Sequence, residues 1–270
     1  MTARDRLRGL TAGLVAGTAS GLFGVGGGLA LVPTLTGFFQ LTQHQAHGTS
    51  LAVIGITAPA AMIVYGAHAN VVWVAAAPMA LGSLVTAGLG ARLATRVSAG
   101  GLRRAFALFL LLVAVRLLWQ PPQIAEAAGV GGVTRAAWCL LVGLLAGGLA
   151  GFMGVGGGIL VVPALTLLFG MSQQAAQGTS LAVMLVTAPT ATIEHARHRN
   201  VVWRLVPMLA AGTVLGAPLA AWAAHGIPHA WLTRGFALFL IATAMHTWQR
   251  AGGPWSPRVE TEGDRSPTHP

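Results

Sequence analysis

Two short motifs in the chain could hold an anion without a charged side chain, and each occurs twice. The first, Gly-Val-Gly-Gly-Gly, stands at 24–28 and again at 154–158. Glycine adopts positive φ freely and allows close backbone approach. A helix that begins after such a run opens on unpaired N–H groups and the positive end of its dipole, a ready anion site. Gly26, Gly27, Gly28, Gly156, Gly157 and Gly158 are therefore candidate substrate-binding residues. Tight turning of a helical hairpin would explain the same glycines. The likeness to a dinucleotide fingerprint is superficial, because no alternating strand pattern precedes either copy.

The second motif is Gly-Thr-Ser, at 48–50 and 178–180. Thr49, Ser50, Thr179 and Ser180 offer hydroxyls that could cap the apolar helix after them. As binding residues they would face the first motif across a central cavity, with four helix N-termini converging on an oxyanion. Capping alone would also account for them.

Other groups that could do chemistry are sparse. His44 and His47 have metal-like spacing, but no third ligand is near, so no metal is expected and they read as capping or hydrogen-bonding groups at a helix entrance. Glu194, beside His195, Arg197 and His198, could carry a proton or form an interfacial ion pair. The single cysteine, Cys139, excludes an intramolecular disulfide. Asp5, Glu126, Glu260, Glu262 and Asp264 lie in the termini or the linker, so paired acid–base residues are missing. No catalytic residue and no cofactor is expected. A membrane-embedded hydrolase built on Ser50 or Ser180 is an alternative, but a duplicated serine fits a symmetric site better than one nucleophile.

The elements that must position these motifs are apolar. Of 270 residues, 54% are hydrophobic and 8% charged, against about 25% charged in soluble domains. The mean hydropathy is +0.70. The long continuous runs indicate an α-helical membrane protein rather than a β-barrel. The net charge of +10 comes entirely from arginine. These arginines flank apolar runs and form no aromatic-interleaved patch, so no nucleic-acid partner is expected.

An offset of 130 superimposes the two halves. Gly24–Gly28, Pro33, Gly48–Val53, Thr57–Pro59, Asn70–Trp73 and Phe106–Leu110 all recur. The chain divides into a first repeat at 1–120, a linker at 121–134, a second repeat at 135–250 and a disordered cytoplasmic tail at 251–270. Gly13, Gly17 and Gly21 recur as Gly143, Gly147 and Gly151, so the N-terminal stretch is a membrane helix rather than a cleaved leader. These stripes permit close helix packing, and with it a homodimer.

Each repeat reads as five apolar pieces: 9–23, 29–40, 49–65, 71–93 and 104–119, then 136–153, 159–170, 179–193, 201–221 and 232–248. The second piece, about 18 Å of helix, is too short for a core of about 30 Å. It implies a broken or re-entrant pair. With that hairpin returning to its starting side, thirteen arginines fall on one side and only Arg116, Arg135 and Arg234 on the other. The positive-inside rule favours this arrangement. The expected fold is all-α and polytopic: two units in inverted topology, each a broken helix pair plus three spanning helices, with both termini cytoplasmic. Trp73, Trp119, Trp203 and Trp248 mark interfacial helix ends.

The doubled Gly-x-Gly-Gly-Gly-x-Leu-x-Val-Pro-x-Leu at 24–35 and 154–165, with Ile159 replacing one leucine, is followed each time by Ala-x-Gly-Thr-Ser-Leu, at 46–51 and 176–181. Together they resemble the sulfite exporter TauE/SafE family of membrane transporters, from about residue 10 to 248. The resemblance implies a permease of the bacterial inner membrane for small organic or sulfur-containing anions, such as sulfite, sulfoacetate or related sulfonates. It would map the anion site onto the glycine and Gly-Thr-Ser segments. A passive anion channel is the alternative within transport. The expected partners are a small anion and the lipid bilayer.

Overall fold

The computed structural model describes residues 3–94, 99–119 and 132–251. Of the tail expected at 251–270, residues 252–270 lie outside the described residues, as does most of the linker, while Ala251 ends the last helix. Those described form ten helices and no strand. The first repeat comprises α1 (Ala3–Phe23), α2 (Gly28–Gly37), α3 (Gln43–Ala67), α4 (Trp73–Ala94) and α5 (Ala99–Trp119). The second comprises α6 (Gly132–Met153), α7 (Gly158–Phe169), α8 (Gln173–Arg197), α9 (Val206–His225) and α10 (His229–Ala251). By length and composition α3, α4, α6 and α9 can each cross a membrane. The short helices α2 and α7 have 10 and 12 residues, half of what a crossing requires.

Local chemistry sets the helix starts. Both short helices follow a glycine in the left-handed region, Gly27 at φ 74° and Gly157 at φ 87°. The helix α3 is capped by Thr42, whose hydroxyl accepts from Gln45 N while the Gln45 side chain accepts from Thr42 N. Ser172 caps α8 through Ala175 N. This corrects the expectation that Thr49, Ser50, Thr179 and Ser180 are caps. They lie in the second turn of α3 and α8, because a polar but largely shielded first turn precedes the apolar run in each.

Glycine faces then decide which helices touch. Gly9, Gly13, Gly17 and Gly21 of α1 meet Met208, Leu209, Thr213 and Ala217 of α9 in that order, so the two helices run parallel. Gly143, Gly147 and Gly151 of α6 meet Met79, Ser83 and Ala87 of α4 in the same way. A Cβ on Gly17 would stand 2.6 Å from Thr213 O, and one on Gly147 would stand 2.5 Å from Ser83 Cα. Only glycine fits such seams. The stripes are thus occupied inside the chain.

The equivalent helices α3 and α8 run antiparallel through the centre: Gly48 lies against His195 and Gly178 against Tyr65. Leu51, Ile54, Leu181 and Met184 are fully buried in the cluster between them. Matching hydroxyl pairs tie the repeats together, Thr57 donating to Thr213 at 2.6 Å and Thr187 to Ser83 at 2.7 Å. The packing groups are α1, α2, α3 and α9 on one side and α4, α6, α7 and α8 on the other, with α5 on α10. Each group borrows one helix from the other repeat, so the repeats are interlaced rather than stacked.

The helix directions bring Arg6, Arg8, Arg92, Arg104, Arg197, Arg199 and Arg204 to one end of the bundle. Arg116, Arg135 and Arg234 lie at the other. Trp73, Trp119, Trp203 and Trp248 are all more than half exposed near helix ends.

Candidate functional site

The two glycine turns meet at the centre of the molecule. Gly24, Gly26 and Gly27 have φ of 66°, 75° and 74°, and Gly154, Gly156 and Gly157 have 70°, 79° and 87°. Three left-handed residues within four positions are affordable only as glycine. A Cβ on Gly26 would stand 2.8 Å from Met184 Sδ and 2.9 Å from Ile54 Cγ2. One on Gly156 would stand 3.2 Å from Ile54 Cγ2 and 3.5 Å from Met184 Sδ. Both turns therefore rest on the same pair of side chains. They also touch each other: a Cβ on Gly28 would stand 2.7 Å from Val155 Cα, and one on Gly158 would stand 2.6 Å from Gly24 O.

Each turn also rests on the other repeat's long helix, Gly24 on Gln177 of α8 and Gly154 on His47 of α3. Two equivalent bonds fix the helices that lead into the turns. Tyr65 Oη donates to Gly21 O at 2.7 Å, and His195 Nε2 donates to Gly151 O at 2.9 Å. Tyr65 Oη is also 2.8 Å from Gln177 Oε1.

The Gly-Thr-Ser residues are fully buried. Thr49 Oγ1 accepts from Val202 N at 3.0 Å, and Thr179 Oγ1 accepts from Val72 N at 2.9 Å. Gly48 and Gly178 lie against Asn200 and Asn70 of the same two loops. These hydroxyls thus anchor the Asn-Val-Val-Trp loop of the opposite repeat. Ser180 Oγ donates to Gly24 O at 2.8 Å, while Ser50 Oγ is buried without a hydrogen-bond partner. The structure brings together the glycines and Ser180. It begins two helices at the central turns, α2 and α7, where four N-termini were expected.

A cavity of about 250 Å³ reaches these turns from the arginine-rich end. Its walls include Gly28, Leu29, Val32, Phe152, Met153, Val155 and Phe239. Its polar groups are Gln43, His47, Thr243, His246 and Thr247. Gln43 Nε2 is 2.7 Å from His47 Nε2. The residues alone did not single out Gln43 or His246, whereas His47 was expected to cap or hydrogen-bond at a helix entrance, as it does with Gln43. The capping box at Thr42–Gln45 was the signal that a helical turn precedes Gly-Thr-Ser, with Gln43 and His47 one turn apart on it. Of the candidate residues, Gly28 alone borders this cavity.

Glu194 closes the arginine-rich end between the repeats. Its side chain is 8% exposed and accepts from Arg92 Nε at 2.8 Å and Arg197 Nη1 at 3.3 Å, with His198 Nε2 at 3.3 Å. It is an interfacial ion pair rather than a group facing the cavity. Among the described residues no three His, Cys, Asp or Glu side chains gather as a metal site would need.

Apolar helices long enough to cross a membrane, two half-length helices and glycine turns meeting at the centre define a multi-pass membrane protein with a central cleft. The chain belongs to the sulfite exporter TauE/SafE family, whose family model matches residues 9–247. It is similar to the "Probable membrane transporter protein" of Xylella fastidiosa (strain Temecula1), at 29% identity over 93% of this chain and 98% of that relative. It is also similar to the "Probable membrane transporter protein YunE" of Bacillus subtilis (strain 168), at 28% identity over 77% of this chain and 85% of the relative. A Haemophilus influenzae protein, also printed as a "Probable membrane transporter protein", is 29% identical over 88% of this chain and 96% of its own length. No solved structure matches the chain.

Proposed function

We propose that this membrane transporter carries small organic or sulfur-containing anions, such as sulfite, sulfoacetate or related sulfonates, out across the bacterial inner membrane. The observation that carries this reading is the cavity that runs from the arginine-rich end to Gly28, the first residue of α2. The backbone N–H groups of a helix start offer an anion donors without a permanent counter-charge. Among the described residues no permanent positive charge lines the cavity, where His47 and His246 are the ionisable groups. The apolar wall suits an anion with a short carbon body better than a bare, strongly hydrated one.

In this reading Gly26, Gly27, Gly28, Gly156, Gly157 and Gly158 shape the anion's central resting place. Ser50 and Ser180 stand behind it, and Thr49 and Thr179 hold the loops that fix it. By the positive-inside rule the arginine-rich end faces the cytoplasm, with both termini. The relatives' names support transport and leave the cargo to the site. A passive channel is the rival, but the cavity ends against Phe239, which stacks on Phe23 with ring centroids 4.8 Å apart. A closed floor fits a carrier better than a pore.

Flux of radiolabelled sulfoacetate and sulfite into proteoliposomes, with and without an imposed pH gradient, tests the reading. Saturable uptake, competed by unlabelled sulfonates, is the expected outcome. Unsaturable flux would favour the channel. No flux with either anion, from protein shown to be folded, would reject this cargo class.

A further inference from the structure

The open cavity has a counterpart, offset by 130 residues, that is closed. Gln43 corresponds to Gln173, His47 to Gln177, Thr243 to Val113 and Thr247 to Leu117. Gln43, Thr243 and Thr247 are half-buried and line open space. Gln173, Gln177 and Leu117 are 0% exposed and Val113 is 7% exposed.

The closed half holds polar atoms with nothing to bond. Both side-chain amide atoms of Gln173 and Nε2 of Gln177 are buried without a partner. Native interiors contain few such groups, because each loses its water and gains nothing in return. A purely structural interior position would favour leucine or methionine. Two carboxamides one turn apart on α8, each with an unused N–H₂ donor, are what remains of an anion-facing wall pressed shut. The seal is visible. Gly24 lies on Gln177, and the neighbouring Phe23 stacks on Phe239 and tilts against Phe236 at 5.8 Å. Gln173 N donates to His229 Nδ1 at the start of α10, at 3.2 Å.

We propose that Gln173 and Gln177 form a second access site for the same small organic anion, facing the arginine-poor end and closed in this structure. Their amides receive the anion when Phe23 parts from Phe236 and Phe239. Opening there accompanies closure over Gln43 and His47, so the two sites are one route seen from opposite ends. This rests on the transport reading above.

Thiol accessibility tests it in the full-length chain reconstituted in vesicles. The background is Cys139→Ala, which removes the native cysteine, carrying either Gln43→Cys or Gln173→Cys. The probe is 2-sulfonatoethyl methanethiosulfonate, an anionic reagent that does not cross the bilayer, applied from each side in turn. The expected result is that Gln43→Cys reacts from the arginine-rich side and Gln173→Cys, more slowly, from the other. Adding Phe23→Ala removes one aromatic stack and raises the Gln173→Cys rate by about two- to tenfold, while the Gln43→Cys rate falls. Phe239→Leu serves in its place if Phe23→Ala does not yield monodisperse protein. No reaction of Gln173→Cys from either side, or rates at both positions rising together, overturns the proposal. Labelling needs no cargo. Sulfoacetate flux without Gln173→Cys labelling would reject this site and leave transport standing. Reciprocal labelling without sulfoacetate flux would keep the site and reject the cargo.

Discussion

Gln43 and Gln173 begin equivalent helices beside equivalent glycine turns, yet one borders a cavity and the other is sealed. The scaffold around them is nearly the same in both halves. Each turn carries three left-handed glycines, each is held by a bond from a long helix to a glycine carbonyl, and each opposing loop hangs on a buried threonine. What differs is the covering. Thr243 and Thr247 line the open cavity, while their equivalents Val113 and Leu117 are buried apolar side chains. Backbone geometry is therefore the shared frame, and access is decided by side chains packed over it.

The largest effect should come from breaking the frame. Gly26→Ala and Gly156→Ala both place a Cβ in a left-handed conformation, at about 1–2 kcal/mol each. Gly26→Ala adds a clash with Met184 and Ile54 that Gly156→Ala largely escapes, for a total loss of about 2–5 kcal/mol. Thermal midpoints in detergent should rank Gly26→Ala below Gly156→Ala. Equal losses would show that the two turns relax alike. Next come Thr179→Val and Thr49→Val, which strip the acceptor from Val72 N and Val202 N. Each should lower stability by about 1–3 kcal/mol and speed amide exchange at the loop it releases. Unchanged protection there would mean that the loops are held by other contacts.

A smaller change sharpens the comparison directly. Val113→Thr with Leu117→Thr gives the closed half the chemistry of the open one. The folded state should weaken, because two buried hydroxyls replace apolar groups and Leu117 is shortened, and Gln173→Cys should label faster. Slower labelling would place the seal elsewhere. The smallest effect belongs to an asymmetry in the frame itself. Gly170 ends α7 at φ 62°, but Gln40, its equivalent after α2, holds φ 51° with a full side chain. Gln40→Gly should raise stability by about 0.5–1 kcal/mol, read as a higher thermal midpoint. A lower midpoint would mean that the Gln40 side chain has contacts worth more than its strain.

Much of the frame was legible in the residues. The offset of 130 paired the glycine turns, and the spacing of Gly13, Gly17 and Gly21 announced a close-packed face. The short second piece foretold α2 and α7. A stripe of glycines does not name its partner, however, and nothing local says that α1 meets α9. The start of α3 was misplaced because hydropathy marks the apolar run at Thr49, whereas the Thr42 cap sets the first turn. The cavity was illegible for a different reason. It depends on which of two equivalent halves is covered, and the same sequence contains both coverings.

The pairing of α1 with α9 has a consequence for biogenesis. The glycine face of α1 leaves the ribosome well before its mate, Val206–His225, with seven helices made between them. Until α9 is made, that face lacks the partner it has in the folded bundle. Assembly of the native bundle must therefore wait until α9 is made, and a first repeat cut off from the second would leave that seam unfilled.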